Sequence, residues 1–245
     1  MRHLQWPKSV LPLNAYSQRV EDKAISVLGL CLDRLGIAEV PLPIPVDIWI
    51  ESPLGIGFGI SNLAEQLKVP ALGAAFTKEK EILIDESIVK NEGRYRFTCA
   101  HELGHIMLHS NVKRVFHDQY IGEAEQVDKF ERQADRFAAA FLMPIPLLVS
   151  EFFAAVKTHA PGAKQAIETA VMPTPQSEEL WRELIIPRLE SRFAVSRRAL
   201  LTRLADVRLA DSVSLLPQEI SERIAADLVL QSSFGNKPHG RVHTR

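Results

Sequence analysis

The sequence predicts a mainly helical α+β fold that contains a small β-sheet and ends in a separate helical segment. Apolar residues recur at three- and four-residue spacing in five stretches, which is typical of amphipathic helices. Two short apolar segments near residue 80 flank a polar tetrapeptide, a pattern that favours a β-hairpin. Prolines and glycines separate these stretches and mark where elements end.

The composition is that of a folded protein. The chain has 245 residues, of which 46% are hydrophobic and 24% charged, and its length predicts one or two domains. The formal net charge of -1 argues against a chain that binds polyanions through charge alone. Only Cys31 and Cys99 are present, too few for a disulfide framework, and their apolar surroundings predict buried free thiols.

The apolar runs predict no membrane-spanning helix, and the N-terminal segment predicts no secretory signal. The longest apolar run covers residues 137–143, whereas a membrane-spanning helix needs about 20 apolar residues. Pro7 and Lys8 interrupt the region where a secretory signal would need an apolar stretch. We therefore expect a cytoplasmic protein without a membrane partner.

The first predicted helix covers Ser17 to Leu35 and ends at Gly36, because its apolar residues keep helical spacing up to that glycine. Four prolines between residues 41 and 53 then exclude a helix. Three glycines at 55, 57 and 59 resemble a phosphate-binding loop only superficially, since no Lys-Ser/Thr pair follows them. We do not expect a nucleotide site here.

The middle of the chain predicts a hairpin followed by two helices. Strands over 71–76 and 81–85 flank the tetrapeptide 77–80. A helix that begins near Arg94 carries the string HELGHIMLH, and a further helix covers 124–143, where Pro144 stops it.

The last third divides into a linker, a helical segment and a tail. Pro161, Gly162, Pro173 and Pro175 predict a linker over 161–178. Helical patterns follow over 179–206 and 217–231. We therefore predict a first domain over 1–160, a helical subdomain over 179–232 and a flexible tail over 233–245.

The most informative motif is HExxH, formed by His101, Glu102 and His105. Residues four apart on a helix share a face, so both imidazoles can reach one ion. Neutral imidazole is a good ligand for Zn²⁺, and a carboxylate beside the ion can take a proton from water. The motif therefore predicts a zinc site with Glu102 as the catalytic base.

A catalytic zinc usually takes three protein ligands, so a third donor is expected elsewhere. The longer motif HExxHxxGxxH fails, because Leu108 and Asn111 replace its last glycine and histidine. His109 lies eight residues from His101, about 12 Å along a straight helix, and cannot share the ion. We expect His109 to be structural or to support a ligand from behind.

Glu131 is the better third donor. Asp135 follows it on the same helical face and could accept a hydrogen bond from a ligand imidazole. Small residues nearby would let the two helices approach closely: Ala134, Ala138 and Ala139. Alone, Glu131 could equally be a solvated charge beside Arg132. Weaker candidates for the ligand are His117, Glu123, Glu125 and Asp128.

Two blocks of sequence together resemble the ImmA/IrrE family of metallo-endopeptidases. These blocks are RYRFTCAHELGHIMLH at 94–109 and ERQADRFAAAFLMP at 131–144. A looser similarity runs upstream through PVDIW at 45–49, so that the resemblance covers roughly residues 17–150. Cys99 departs from the aliphatic residue that is usual at its position, without affecting the motif.

The resemblance implies a zincin-like metallopeptidase domain. It implies a zinc ion held by His101, His105 and Glu131, with Glu102 as base. Members of the family cut a helix-turn-helix transcriptional repressor and thereby release genes for mobile-element transfer or stress response. The expected partner is therefore a protein substrate of that kind.

Residues 193–204, FAVSRRALLTRL, resemble a helix-turn-helix-like segment that commonly follows the catalytic block in this family. Ser196 is a plausible helix cap. Seven arginines give residues 182–208 an excess of positive charge: Arg182, Arg188, Arg192, Arg197, Arg198, Arg203 and Arg208. DNA contact could follow, but a positioning subdomain with a solvated arginine face is favoured, because arginine stems also cover apolar surface.

The sequence thus predicts a zinc-dependent endopeptidase that cleaves a repressor. Candidate groups for stabilising the oxyanion are Tyr120, His117 and Arg132, and the strand 81–85 could pair with an extended substrate. The alternative is a regulatory module without proteolysis, which sequesters a repressor, binds DNA or serves as an antitoxin. The intact His-Glu-His set argues against that alternative, since a binding module gains nothing from Glu102.

Overall fold

The fold is described from a computed structural model, which covers residues 8, 10–11, 13–111, 115–119, 129–157, 163–209 and 213–234. Its helices are α1 Ala15–Leu35, α2 Val46–Glu51, α3 Leu63–Leu67, α4 Glu92–His109, α5 Lys129–Leu142, α6 Ile145–Val156, α7 Ala163–Val171, α8 Pro175–Leu180, α9 Ile186–Phe193, α10 Arg197–Ala205 and α11 Gln218–Phe234. Its strands are β1 Gly57–Ser61, β2 Ala71–Phe76, β3 Glu81–Asp85 and β4 Val115–Gln119. The predicted mainly helical α+β class is confirmed.

Helix α1 follows the capping rules that its sequence suggests. The Asn14 side chain accepts a hydrogen bond from the backbone N–H of Ser17 and so satisfies one of the free donors at the helix start. Gly36 adopts a left-handed conformation with φ of 66° and ends the helix. The predicted helix over 17–35 is therefore confirmed to within two residues, and it buries Cys31 in the core.

The sheet contains the predicted hairpin and two further strands. Its order is β1-β3-β2-β4. Strands β2 and β3 pair antiparallel, with Gly73 opposite Ile84, β1 runs parallel to β3, and β4 pairs antiparallel with β2. The region of β1, with its glycines at 57 and 59, had not been predicted as a strand.

The position of β3 corrects one expectation. The strand 81–85 was expected to pair with an extended substrate, but β1 and β2 already occupy its two edges. Its backbone groups are used within the sheet, so this expectation is wrong. Among the described residues, β4 pairs on one side only, with β2.

Helices α4 and α5 pack against each other in opposite directions and form the centre of the molecule. Gly104 of α4 makes this packing close: a Cβ atom at this position would lie 3.1 Å from Cα of Ala134 and 3.2 Å from Cβ of Phe137. Cys99 of α4 is fully buried, as predicted. The small side chains allow the backbones to approach, which brings Glu131 near the histidines of α4.

The stretch predicted as a linker contains two helices. Helices α7 and α8 lie within or extend from residues 161–178, and Ala170 and Ser177 are fully buried. Pro175 is compatible with this because it is the first residue of α8, where a proline loses no intrahelical hydrogen bond. The division into domains stays a prediction, and the predicted tail beyond 234 lies outside the described residues.

Helices α9 and α10 form the predicted C-terminal helical segment. The Ser196 side chain caps α10 by accepting from the backbone N–H of Ala199, as expected. Five of the seven arginines between 182 and 208 make ion pairs within the protein: Arg182, Arg188, Arg192, Arg197 and Arg203. Most of these arginines thus pair with carboxylates of the same chain, and only Arg203 does so in a fully buried position.

Over the described ranges, no single helix is long and apolar enough to cross a membrane, although α5 and α6, bent by 48° at Pro144, would together pass by length and composition. Both helices place apolar side chains in the core, including Phe137 and Phe152, which are fully buried.

Candidate metal centre

The two histidines of the HExxH motif lie on the buried face of α4. The Asn91 side chain caps this helix by accepting from the backbone N–H of Arg94, and the helix continues without a break to His109. His101 is 5% exposed and His105 is 1% exposed. The four-residue spacing brings their Nε2 atoms to 3.0 Å from each other.

Glu131 completes a triangle of donor atoms from α5. Its Oε2 atom lies 3.1 Å from Nε2 of His101 and 3.4 Å from Nε2 of His105. A tetrahedral Zn²⁺ ion with bonds of about 2.0–2.1 Å separates its ligand atoms by about 3.3 Å. The three measured separations therefore match three edges of such a tetrahedron, and the donor set could hold a metal ion.

Asp135 orients the first imidazole. Its Oδ1 atom accepts a hydrogen bond from Nδ1 of His101 at 2.9 Å. A metal ion at the triangle would replace any proton on Nε2 of His101, and the contact with Asp135 would keep the other proton on Nδ1, which is the arrangement that metal-ligating histidines require.

A second chain of hydrogen bonds orients the other imidazole. Nδ1 of His105 lies 3.1 Å from Nδ1 of His109, and Nε2 of His109 lies 2.9 Å from Oε1 of Gln133. Gln133 can only accept through this oxygen, so His109 donates to it and accepts from His105. His109 therefore supports a candidate ligand from behind, and the ring of Phe116 stacks on His105 at 4.2 Å.

The electrostatic environment shifts the pKa values of the two histidines in opposite directions. Burial lowers the pKa of His105 to about 4, which keeps its ring neutral. Burial also opposes the charged form of His101, but hydrogen bonds to Asp135 and Glu131 outweigh it and hold its pKa well above the ordinary value. Burial would raise the pKa of Glu131, yet its hydrogen bonds with both histidines hold it well below the usual range.

Glu102 is fully buried between α4 and the sheet. Gly73 of β2 makes room for its carboxylate: a Cβ atom there would lie 2.5 Å from Oε1 of Glu102 and 2.7 Å from Cγ2 of Thr98. No real side chain fits at such distances, so the bare backbone of β2 sets the position of the carboxylate beside His101.

The remaining sequence candidates fall into two groups. Arg132 is exposed beside Glu131, and the backbone of His117 lies in β4. The others lie outside the described residues: Tyr120, Glu123, Glu125 and Asp128.

Sequence reasoning missed Gly73, Phe116 and Gln133, all of which shape the centre. Gln133 lies two residues from Glu131, a spacing that places it on another part of the helix surface, so helical periodicity gives no signal for it. Gly73 and Phe116 contact the site from other strands, and only the packing of the sheet against α4 reveals their roles.

Comparisons with known proteins assign the family. No curated protein matches the chain. The family described as Peptidase_M78, the IrrE N-terminal-like domain, matches residues 58–205. This range contains both helices of the metal centre and covers more than half of the chain. The chain therefore belongs to the IrrE N-terminal-like family of peptidases, in agreement with the resemblance found in its sequence.

Proposed function

We propose that this peptidase is a zinc-dependent endopeptidase, with the metal held by His101, His105 and Glu131. The observation that carries the proposal is the triangle of donor atoms, with sides of 3.0, 3.1 and 3.4 Å, built from two imidazole nitrogens and a carboxylate oxygen. Two imidazoles and one carboxylate are a common ligand set of catalytic zinc. The supporting contacts from Asp135 and His109 favour the tautomers that such binding needs.

When bound, zinc supplies Lewis acidity that lowers the pKa of water to about 7. Glu102 takes the proton of the attacking water and then passes it to the leaving amine. Its burial and its position next to His101, whose pKa it raises through its charge, support this role.

The substrate would lie along the outer edge of β4, in place of the interior strand first expected. In the described part of the chain, β4 is the edge strand next to the centre, and Phe116 in this strand contacts the ring of His105. An extended peptide can hydrogen-bond to such an edge. The resemblance to ImmA/IrrE proteins supports a helix-turn-helix repressor as the protein that is cut.

The test is incubation of the zinc-loaded protein with a helix-turn-helix repressor from the same genome, chosen first from any that the neighbouring genes encode. The wild-type protein should cut the repressor and lose this activity in the presence of a chelator. Glu102→Gln should keep its zinc and lose activity by 10²-fold or more, the usual contribution of a general base.

Glu92→Gln is the matched control, since Glu92 lies exposed in the first turn of the same helix, and it should cut at the wild-type rate. Cleavage by Glu102→Gln at the wild-type rate would reject Glu102 as the base. Repressor binding that survives chelation without any cleavage would instead favour the regulatory module.

A further inference from the structure

The two histidines of the metal centre are supported from behind by different kinds of side chain. Behind His101 lies Asp135, whose Oδ1 atom is 2.9 Å from Nδ1 of the imidazole. An ionised carboxylate can only accept a hydrogen bond, so this contact has one possible direction. Behind His105 the hydrogen bonds continue further and end at a side-chain amide, which carries both an acceptor and a donor. The direction of this second chain of hydrogen bonds must therefore be selected.

The chain behind His105 runs through His109 to Gln133. Nδ1 of His105 lies 3.1 Å from Nδ1 of His109, and Nε2 of His109 lies 2.9 Å from Oε1 of Gln133. A neutral imidazole carries one proton, so one of its nitrogens donates and the other accepts. Because the two contacts use different nitrogens of the His109 ring, the direction of one contact fixes the direction of the other.

The surroundings of His109 give water little access to these contacts. His109 is 2% exposed, and the centre of its ring lies 4.9 Å from that of Phe130 and 5.3 Å from that of Phe116. Buried ring nitrogens depend on the protein for their hydrogen-bond partners. The amide of Gln133, at the end of the chain, is therefore in a position to set its direction.

Only one of the two directions suits a metal ion. When Gln133 presents its oxygen, His109 donates from Nε2 and accepts at Nδ1, and His105 keeps its proton on Nδ1. When the amide presents its NH₂ group, His109 donates from Nδ1 and the proton of His105 moves to Nε2. That proton would lie where the donor atoms meet, since Nε2 of His105 is 3.0 Å from Nε2 of His101 and 3.4 Å from Oε2 of Glu131.

We infer that Gln133 is a positioning residue, which holds His105 in the tautomer that binds zinc although two hydrogen bonds separate it from that ring. The inference rests on the proposed function, because it takes His105 as a zinc ligand. The structure places Oε1 of Gln133 against His109, which is the direction that zinc binding requires. Partners behind a ligand histidine commonly change metal affinity by about 10–100-fold, and we expect Gln133, one step further away, to act at the lower end.

The first measurement is the dissociation constant of the full-length Gln133→Met protein for zinc, in competition with a zinc-sensitive dye. Methionine keeps the length of the side chain and a similar helix propensity but removes the acceptor. Zinc should bind about tenfold more weakly than to the wild type. Gln165→Met is the matched control, since Gln165 is exposed on α7, and its dissociation constant should be unchanged. Circular dichroism checks that both variants are folded.

A double-mutant cycle separates this role from packing. His109→Phe keeps an aromatic ring beside Phe116 and Phe130 but breaks the chain of hydrogen bonds, so it should weaken zinc binding at least as much as Gln133→Met. In the His109→Phe background, Gln133→Met should have no further effect, because Gln133 acts through His109. Two effects that multiply would overturn the inference, since Gln133 would then act by another route.

The tautomers themselves can be observed by NMR. Two-bond ¹H–¹⁵N spectra of the zinc-loaded wild type should show the proton of His109 on Nε2 and the proton of His105 on Nδ1. The metal-free wild type should keep the same form of His109. Metal-free Gln133→Met should also populate the form of His109 with its proton on Nδ1, a change that a purely packing role for Gln133 would not produce.

An unchanged dissociation constant in Gln133→Met, or a proton on Nδ1 of His109 in the zinc-loaded wild type, would overturn the inference. If that wild type still binds zinc and cuts its substrate, the proposed function stands. A wild-type protein that binds no zinc would overturn both. A wild type that binds zinc with the expected dependence on Gln133 but cuts no protein would support the inference and reject the proposed peptidase activity alone.

Discussion

Two buried polar clusters use charge in opposite ways. In the first, Arg203 and Glu21 are both fully buried and face each other in a two-pronged ion pair, with one N···O distance of 2.9 Å. The remaining Nε–H of Arg203 donates to the backbone oxygen of Met143 at 3.0 Å. Each arginine nitrogen in this cluster thus has a partner, and the cluster ties α1 to α10 and to the end of α5.

In the metal centre, by contrast, three acceptor atoms converge on one another. Two imidazole nitrogens and a carboxylate oxygen lie 3.0–3.4 Å apart, and Asp135 accepts the Nδ1 proton of His101 on the side away from the point where they meet. Such acceptors need a shared proton or a cation between them. The Arg203–Glu21 cluster, in which every donor has an acceptor, is therefore typical of a structural ion pair. The cluster of His101, His105 and Glu131, in which acceptors face one another, is typical of a cation-binding site.

Removing one partner of the Arg203–Glu21 pair should have the largest effect on stability. Arg203→Met leaves Glu21 buried without its cation, which costs about 3–5 kcal/mol of unfolding free energy. Chemical denaturation followed by circular dichroism measures this loss. A second substitution, Glu21→Gln, should restore part of the stability, because it removes the stranded charge.

Arg203→Met should leave the metal centre intact, so its folded fraction should bind zinc as tightly as the wild type does. A loss below about 1 kcal/mol would show that the pair contributes little to the fold. Loss of zinc from the folded protein would show that the two clusters are coupled.

Gly73→Ala should damage the reaction and leave the metal ligands intact. The new Cβ atom would collide with Oε1 of Glu102 at 2.5 Å, so the carboxylate must leave its position, and the rate should fall about 10²-fold. The rate of repressor cleavage and the zinc content are measured together.

Gly57→Ala is the control for this prediction. Gly57 lies in the edge strand β1, and a Cβ atom there would lie 3.5 Å from Cγ of Glu81, an ordinary contact distance. The cleavage rate of this variant should stay within a factor of about three of the wild-type rate. Equal rates for both alanine variants would mean that β2 does not position Glu102.

Asp135→Asn should weaken zinc binding by about 10–100-fold, the usual effect of removing the hydrogen-bond acceptor behind a ligand histidine. A competition assay with a zinc-sensitive dye measures the dissociation constant. Asp33→Asn is the control: it removes one negative charge from an exposed position on α1 and should leave the dissociation constant for zinc unchanged. An unchanged dissociation constant in Asp135→Asn would make its contact with His101 irrelevant to the site.

Much of the fold could be predicted, because local patterns are carried by the sequence itself. The period of α1, its end at Gly36 and the hairpin of β2 and β3 all follow from residues close in the chain. The expectation that fails depends on a distant partner. Substrate pairing with the strand 81–85 is excluded by β1, a glycine-containing strand that pairs with it inside the sheet and gives no clear strand pattern in the sequence.

The candidate site could be predicted in part for the same reason. The spacing of His101, His105, Glu131 and Asp135 follows helical periodicity, and each pair lies on one face of one helix. The roles of Gly73 and Gln133 arise where different elements meet, so no spacing along the chain signals them.

The central claim is that Glu131 joins the two histidines around one zinc ion. The most direct measurement is the zinc content and dissociation constant of Glu131→Ala beside those of the wild type, after dialysis against one buffer. The wild type should keep one zinc ion per chain, and the variant should lose it while circular dichroism shows that it remains folded. A folded Glu131→Ala protein that binds zinc as tightly as the wild type would contradict the account.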